Sequence, residues 1–183
     1  EETVREVSME EANAFLEHNE KAAGMISTGV MMCILSPVIL ILLGGLAEAE
    51  KISMNETVAE MGGTMILLVI IAAAVGMFLM TSMRGKQYDY LENLDIDTAY
   101  GVSGMAKERR AQYAEKHSRL LIVGIMLCIV AAIPMLILSM SRYSNNTGVL
   151  PIIGVDAMIV TIAVGVKMIV LTCIRHDGYD KLL

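Results

Sequence analysis

Little in this chain can support covalent or metal chemistry. Cysteine occurs three times, as Cys33, Cys128 and Cys173, each inside an apolar run and none in a Cys-x-x-Cys pair. That spacing argues against a disulfide framework or a zinc site and reads as three small buried hydrophobes. Histidine is equally sparse: His18, His117 and His176 flank apolar runs without metal-ligand spacing and read as solvated interfacial residues. The chain has no Ser-His-Asp set, no phosphate-binding glycine loop and no pair of carboxylates within an apolar run, so neither enzyme activity nor a cofactor is expected. A basic-then-apolar leader with a cleavage site is also missing, and the first residue is Glu1, which leads us to expect a processed chain or a fragment. Sixteen methionines suggest a soft cation, but Met31 with Cys33 and Met126 with Cys128 stand two apart and share no helix face. Packing is the reading we take for them, and no metal is expected.

What the chain has in excess is apolar surface. Hydrophobic residues make up 55% and the mean hydropathy is +0.60, more than a soluble chain of 183 residues buries. Four runs, Ala22–Ala47, Gly62–Met83, Leu120–Met140 and Ile152–Ile174, reach the roughly 20 residues a helix needs to cross a hydrocarbon core. Backbone in lipid must satisfy its own hydrogen bonds, so runs of this length read as helices. The expected fold is an all-α integral membrane protein with four transmembrane helices.

Charge sets the orientation. Seven of the fourteen Lys and Arg residues fall between Arg84 and Arg119. With Arg5, Lys21, Arg175 and Lys181 they place eleven basic residues on one side, against Lys51 and Arg142 on the other. The positive-inside rule then puts both termini and the central segment in the cytoplasm of a multi-pass bacterial membrane protein. The net charge of −6 says little about nucleic acid, and no direct nucleic-acid contact is expected from this chain.

The polar segments carry their own signals. Ser8 and Glu11 have capping-box spacing, and Met9, Ala12, Phe15 and Leu16 recur as an apolar helical stripe. Pro37 stands within the first run and predicts a kink. Ala72 and Gly76 have the small-x-x-x-small spacing of close helix packing. Thr98 to Met105 reads TAYGVSGM, a turn built around Gly101 and Gly104 with Tyr100 beside them and Ser103 as the expected helix cap. Pro151 marks the start of the fourth helix.

A spelling then returns. Thr81, Arg84, Tyr88, Asp89 and Leu91 form T-x-x-R-x-x-x-Y-D-x-L, and Thr172, Arg175, Tyr179, Asp180 and Leu182 repeat it at the C-terminus. Gly29, Met31, Cys33 and Ile34 match Gly124, Met126, Cys128 and Ile129, and Ala74, Val75 and Gly76 match Ala163, Val164 and Gly165. A tandem two-plus-two repeat follows, its copies parallel because each contains two crossings, with the symmetry axis along the membrane normal. The expected organisation is a cytoplasmic amphipathic helix over 1–21, a two-helix repeat over 22–91, a cytoplasmic connector with a helix over 92–119 and a second repeat over 120–183. Arg84 and Arg175 are expected to meet a carboxylate such as Asp89 or Asp180, or to act as anchors facing lipid phosphates.

Asp156 and Lys167 are the ionisable residues placed within a run, and intramembrane charges are costly enough to mark a ligand site or polar path. They share a helix face but stand roughly 16 Å apart along the axis, too far to pair. Snorkelling is the plainer reading of Lys167.

EEANAFLEHNEKAAG at Glu10 to Gly24, CILSP at Cys33 to Pro37 and TAYGVSGM at Thr98 to Met105 resemble the C-terminal membrane region of Firmicutes proteins that begin with an Xre-type helix-turn-helix DNA-binding domain. The resemblance implies a membrane-anchoring, ligand-sensing or membrane-state-sensing domain of a membrane-bound transcriptional regulator, whose partners are the lipid bilayer and a fused or partner cytoplasmic domain. Two other readings stand beside it: a small transporter or channel subunit with a polar path near Asp156 and Lys167, and a structural protein that acts by self-association.

Overall fold

The chain builds four long helices on a small polar-end cap. A computed structural model describes residues 5–48, 56–88, 96–98, 101–133, 136–137 and 149–183. Their order is strand β1 (Arg5–Val7), helix α1 (Met9–Glu48), helix α2 (Glu56–Gly85) with a 3-10 turn over Lys86–Tyr88, strand β2 (Ile96–Thr98), helix α3 (Val102–Val130) and helix α4 (Val149–Asp180). α1, α2 and α4 are long and apolar enough to cross a membrane. The third apolar run, Leu120–Met140, occupies the end of α3 and lies only partly within the described residues. Asp89, Leu91 and Tyr100, like the Lys51 and Arg142 loops, lie outside them.

Two helices are longer than their apolar runs. The 40 residues of α1 extend about 60 Å, twice a hydrocarbon core, and α3 reaches about 44 Å. The expected amphipathic helix over 1–21 is therefore not a separate element but the first turns of α1. The connector helix likewise runs without a break into the third apolar run. The start of α1 is the capping box: Glu11 N–H donates to Ser8 Oγ at 3.2 Å and Ser8 N–H to Glu11 Oε2 at 3.1 Å.

α1 continues through Pro37. Proline there leaves the Cys33 carbonyl, four residues back, without its amide donor. The Ser36 hydroxyl, almost wholly buried, donates to that carbonyl at 2.8 Å. The serine in CILSP thus supplies what the proline removes.

α2 packs on α1, α1 on α4 and α4 on α3, which gives the row α2, α1, α4, α3. A two-fold axis along the helices would also bring α2 against α3. Those two instead stand at opposite edges, with no extensive contact between them among the described residues. The edges carry the exposed apolar side chains, including Met65, Val69 and Met83 on α2 and Met126 and Ile129 on α3. Only 11% of the most apolar stretch of α1 or α2 is buried within the chain, so most of that surface faces outward.

Small residues set the close approaches. A Cβ at Gly124 would come within 2.9 Å of the Gly165 carbonyl, and one at Gly165 within 2.7 Å of Cys128 Sγ. Gly29 holds the same place against Phe78 on α2. The expected Ala72 and Gly76 pair does not pack: Ala72 is exposed and Gly76 faces open space. Ala59, Gly63, Ala74 and Thr81 are buried on α2, and Gly154, Gly165 and Thr172 on α4 stand at one constant separation from the last three. Gly76 and Gly165, matched by the Ala-Val-Gly spelling, occupy unlike environments.

The cap has its own core of Val7, Ala12, Phe15, Leu16, Val102, Ala106 and Leu182, with Tyr88, Met105 and Tyr179 against it. β1 and β2 pair in parallel, Arg5 opposite Ile96 and Val7 opposite Thr98, an addition to the expected all-α fold. Three of the four residues of the apolar stripe, Ala12, Phe15 and Leu16, enter this core, whereas Met9 is 40% exposed. Ser103 does not cap α3 but is its second residue. Gly101 takes the cap position at φ 94°, a left-handed conformation that glycine adopts without strain, and its carbonyl accepts from Met105 N–H at 2.9 Å. The TAYGVSGM turn thereby drives Val102 and Ala106 into the core.

Candidate functional site

A cavity of about 580 Å³ opens at the polar end between α1, α3 and α4. α1 contributes Asn13, Glu17 and Glu20, all from its first turns beyond the apolar run. α3 contributes Arg109, Tyr113, Lys116 and Leu120, which recur at helical spacing on one face, with Arg110 and His117 flanking them. α4 contributes Thr172, Arg175, His176 and Tyr179 from its last turns. Leu120 and Leu171 bring apolar lining where the shafts of the helices begin, and Leu16 brings it from the cap core.

Ion pairs tie the walls together. Arg175 donates to Glu20 Oε1 at 2.8 Å, which joins α4 to α1. Arg110 pairs with Asp180 at 3.0 Å and donates to His176 Nε2 at 3.2 Å, which joins α3 to α4. His176 Nδ1 lies 2.8 Å from Asp180 Oδ2, so the ring fits the tautomer with its proton on Nδ1. Asn19 donates to the Ile174 carbonyl at 3.0 Å, and the side-chain space it needs exists because residue 178 is glycine. Tyr113 and Tyr179 stack at 6.2 Å and His117 lies 5.0 Å from His176.

The electrostatics are those of a basic, partly dry pocket. Burial, with His176 and Arg110 nearby, pushes the His117 pKa down and favours the neutral ring. Burial and the neighbouring Tyr113 raise that of Tyr179. Arg109 and Lys116, both exposed, have no ion pair among the described residues. Two buried polar atoms of the walls are also without a partner among the described residues: the Asn13 Oδ1 acceptor and the Arg175 Nε donor.

The repeated motif divides between structure and site. Tyr88 packs edge-on to Phe15 at 5.6 Å and on His18 at 4.9 Å, while Tyr179 meets the same cap core and the cavity. Arg84 is exposed. The carboxylate that Arg175 meets is Glu20 rather than Asp180, whose partners are Arg110 and His176. In the turn, Thr98 lies in β2, and Gly101 and Gly104 lie at the start of α3 away from the cavity lining.

Asp156 is buried with both carboxylate oxygens unpartnered, and Lys167 is half-buried. Neither lines the polar-end cavity. Among the described residues, no three of the His, Cys, Asp and Glu side chains are grouped to hold a metal ion. In the sequence Arg109, Arg110 and Lys116 read only as charges that set topology, and His117 as a solvated interfacial residue. The 109, 113, 116 and 120 spacing was the available signal, and it lacked partners because those lie far away in the chain. Comparison with protein-family models, curated proteins and solved structures gives no match.

Proposed function

We propose that this chain is the membrane-anchoring and sensing domain of a membrane-bound transcriptional regulator, with the polar-end cavity as its sensing site and the cap as its output. The observation that carries the reading is convergence. β1, the start of α1, the start of α3 and the last residues of α4 close on one small core beside a cavity whose walls are those same three helices. A ligand that drew α3 toward α4 would alter the packing of that core, and a DNA-binding domain joined ahead of β1 would receive the change. In this reading the apolar shafts sit in a bacterial membrane with the cap in the cytoplasm, in keeping with the basic residues clustered at the cap. A duplicated two-helix unit draws support from the like burial of Gly63 and Gly154, Ala74 and Gly165, and Thr81 and Thr172.

The native gene tests the reading directly. An encoded helix-turn-helix domain upstream of Glu1 is the expected result, and any other upstream content removes the regulator assignment.

A transporter reading is favoured by one observation, the unpartnered Asp156 carboxylate. Flux in proteoliposomes that persists unchanged in Asp156→Asn and Lys167→Met would sink it.

A further inference from the structure

We propose that the polar-end cavity binds a phosphate group, presented either by a lipid headgroup or by a soluble phosphate ester. The ligand class deepens the sensing reading and rests on it only for its consequence, since binding can be read without any output.

The walls bring four fixed cations, Arg109, Arg110, Lys116 and Arg175, against the carboxylates Glu17 and Glu20. The pairs already made use much of this. Glu20 is engaged by Arg175, Arg110 by Asp180, and Glu17 by Lys21 at 2.7 Å. What remains is Arg109 and Lys116, one turn and three residues of α3 on either side of Tyr113, with the Arg175 Nε donor facing no partner. An unpaired guanidinium and an unpaired ammonium on α3, with a free Nε donor of Arg175 on α4, suit an oxyanion with several acceptor oxygens.

Size and shape narrow the class. A cavity of about 580 Å³ falls within the range of small-molecule sites, about 300–1,000 Å³, and exceeds what one bare anion fills. The stacked Tyr113 and Tyr179 rings give a flat wall beside the cations. Leu120 and Leu171 stand where the cavity lining passes onto the apolar shafts. A phosphate ester with a less polar remainder matches that gradient from charge through aromatic wall to apolar floor. The unpartnered Asn13 Oδ1 adds an acceptor on the α1 wall, which suits a hydroxyl of the ester.

The experiment has two arms on the full chain. In the first, chain held in an uncharged detergent is titrated calorimetrically with inorganic phosphate, glycerol 3-phosphate and citrate. In the second, chain in nanodiscs of phosphatidylcholine alone or mixed with phosphatidylglycerol is released into native mass spectrometry and retained lipid is counted. Saturable binding in the first arm assigns a soluble ester, and selective retention of phosphatidylglycerol in the second assigns a headgroup. Either supports the proposal when Arg109→Gln with Lys116→Gln weakens it tenfold or more and Lys107→Gln, exposed on α3 outside the cavity lining, leaves it unchanged. Both replaced residues are exposed, and an unaltered helical circular dichroism spectrum establishes that the variant is folded. No binding in either arm, citrate bound as tightly as the phosphates, or binding indifferent to the double substitution overturns the proposal. None of these outcomes depends on what the native gene encodes upstream.

Discussion

At the scale of single residues, the chain repairs its own irregularities locally. Ser36 and Pro37 are one device, because the hydroxyl donates to the carbonyl that the proline deprives. Ser36→Ala should cost about 1 kcal/mol, the usual contribution of such a bond. In Pro37→Ala the backbone amide returns, so the same Ser36→Ala change should then cost clearly less. A double-mutant cycle in reversible unfolding checks this, and additive effects would refute the coupling. Gly101 is a second such point: Gly101→Ala, at φ 94°, should destabilise the cap by about 1 kcal/mol or more, measured by amide exchange at Val102 and Ala106. His18 sets a pH response. Burial and the charges of Arg84 and Lys21 hold its pKa below the ordinary imidazole value, so the unfolded ring takes up its proton first. His117 behaves in the same sense. Cap stability should be full above about pH 6.5 and fall as pH drops below it, and His18→Gln with His117→Gln should flatten that slope. The capping box at Ser8 and Glu11 was legible in the sequence because both partners lie within one turn. The Ser36 role was not read, although serine beside proline states it locally.

At the scale of elements, helix packing depends on register more than on composition. Gly76 and Gly165 share the Ala-Val-Gly spelling, yet one faces open space and the other the Gly124 carbonyl and Cys128. Gly165→Ala should destabilise the α3 and α4 contact by about 1–3 kcal/mol through overpacking against backbone. Gly76→Ala should be neutral or stabilise by up to about 1 kcal/mol through helix propensity. Thermal unfolding in one detergent compares the two, and equal losses would place Gly76 in a packed interface. The apolar runs of α1, α2 and α4 were legible because each is apolar all round for longer than a hydrocarbon core is thick. The same uniformity hid which face packs. β1 and β2 were illegible for a different reason: three residues are too few to show an alternation. The cavity was hidden by distance, with Glu20 and Arg175 standing 155 residues apart.

At the scale of the whole molecule, the cap and the shafts rest on different physics. The cap is a water-excluding core of a few side chains, and the shafts meet through small residues and outward apolar surface. Phe15→Ala should therefore release β1 and the start of α3 from α1, with increased amide exchange there, while the apolar halves of α1 and α4 stay protected. Uniform loss of protection would mean that cap and shafts unfold as one unit. A row of four helices also has a front and a back. One edge is α2 and the other α3, which do not resemble each other in charge. Held in a bilayer, as proposed above, such a molecule carries a direction in the plane. Copies that met by unlike edges would advance in file, and only a pairing of like edges could bring the file to an end.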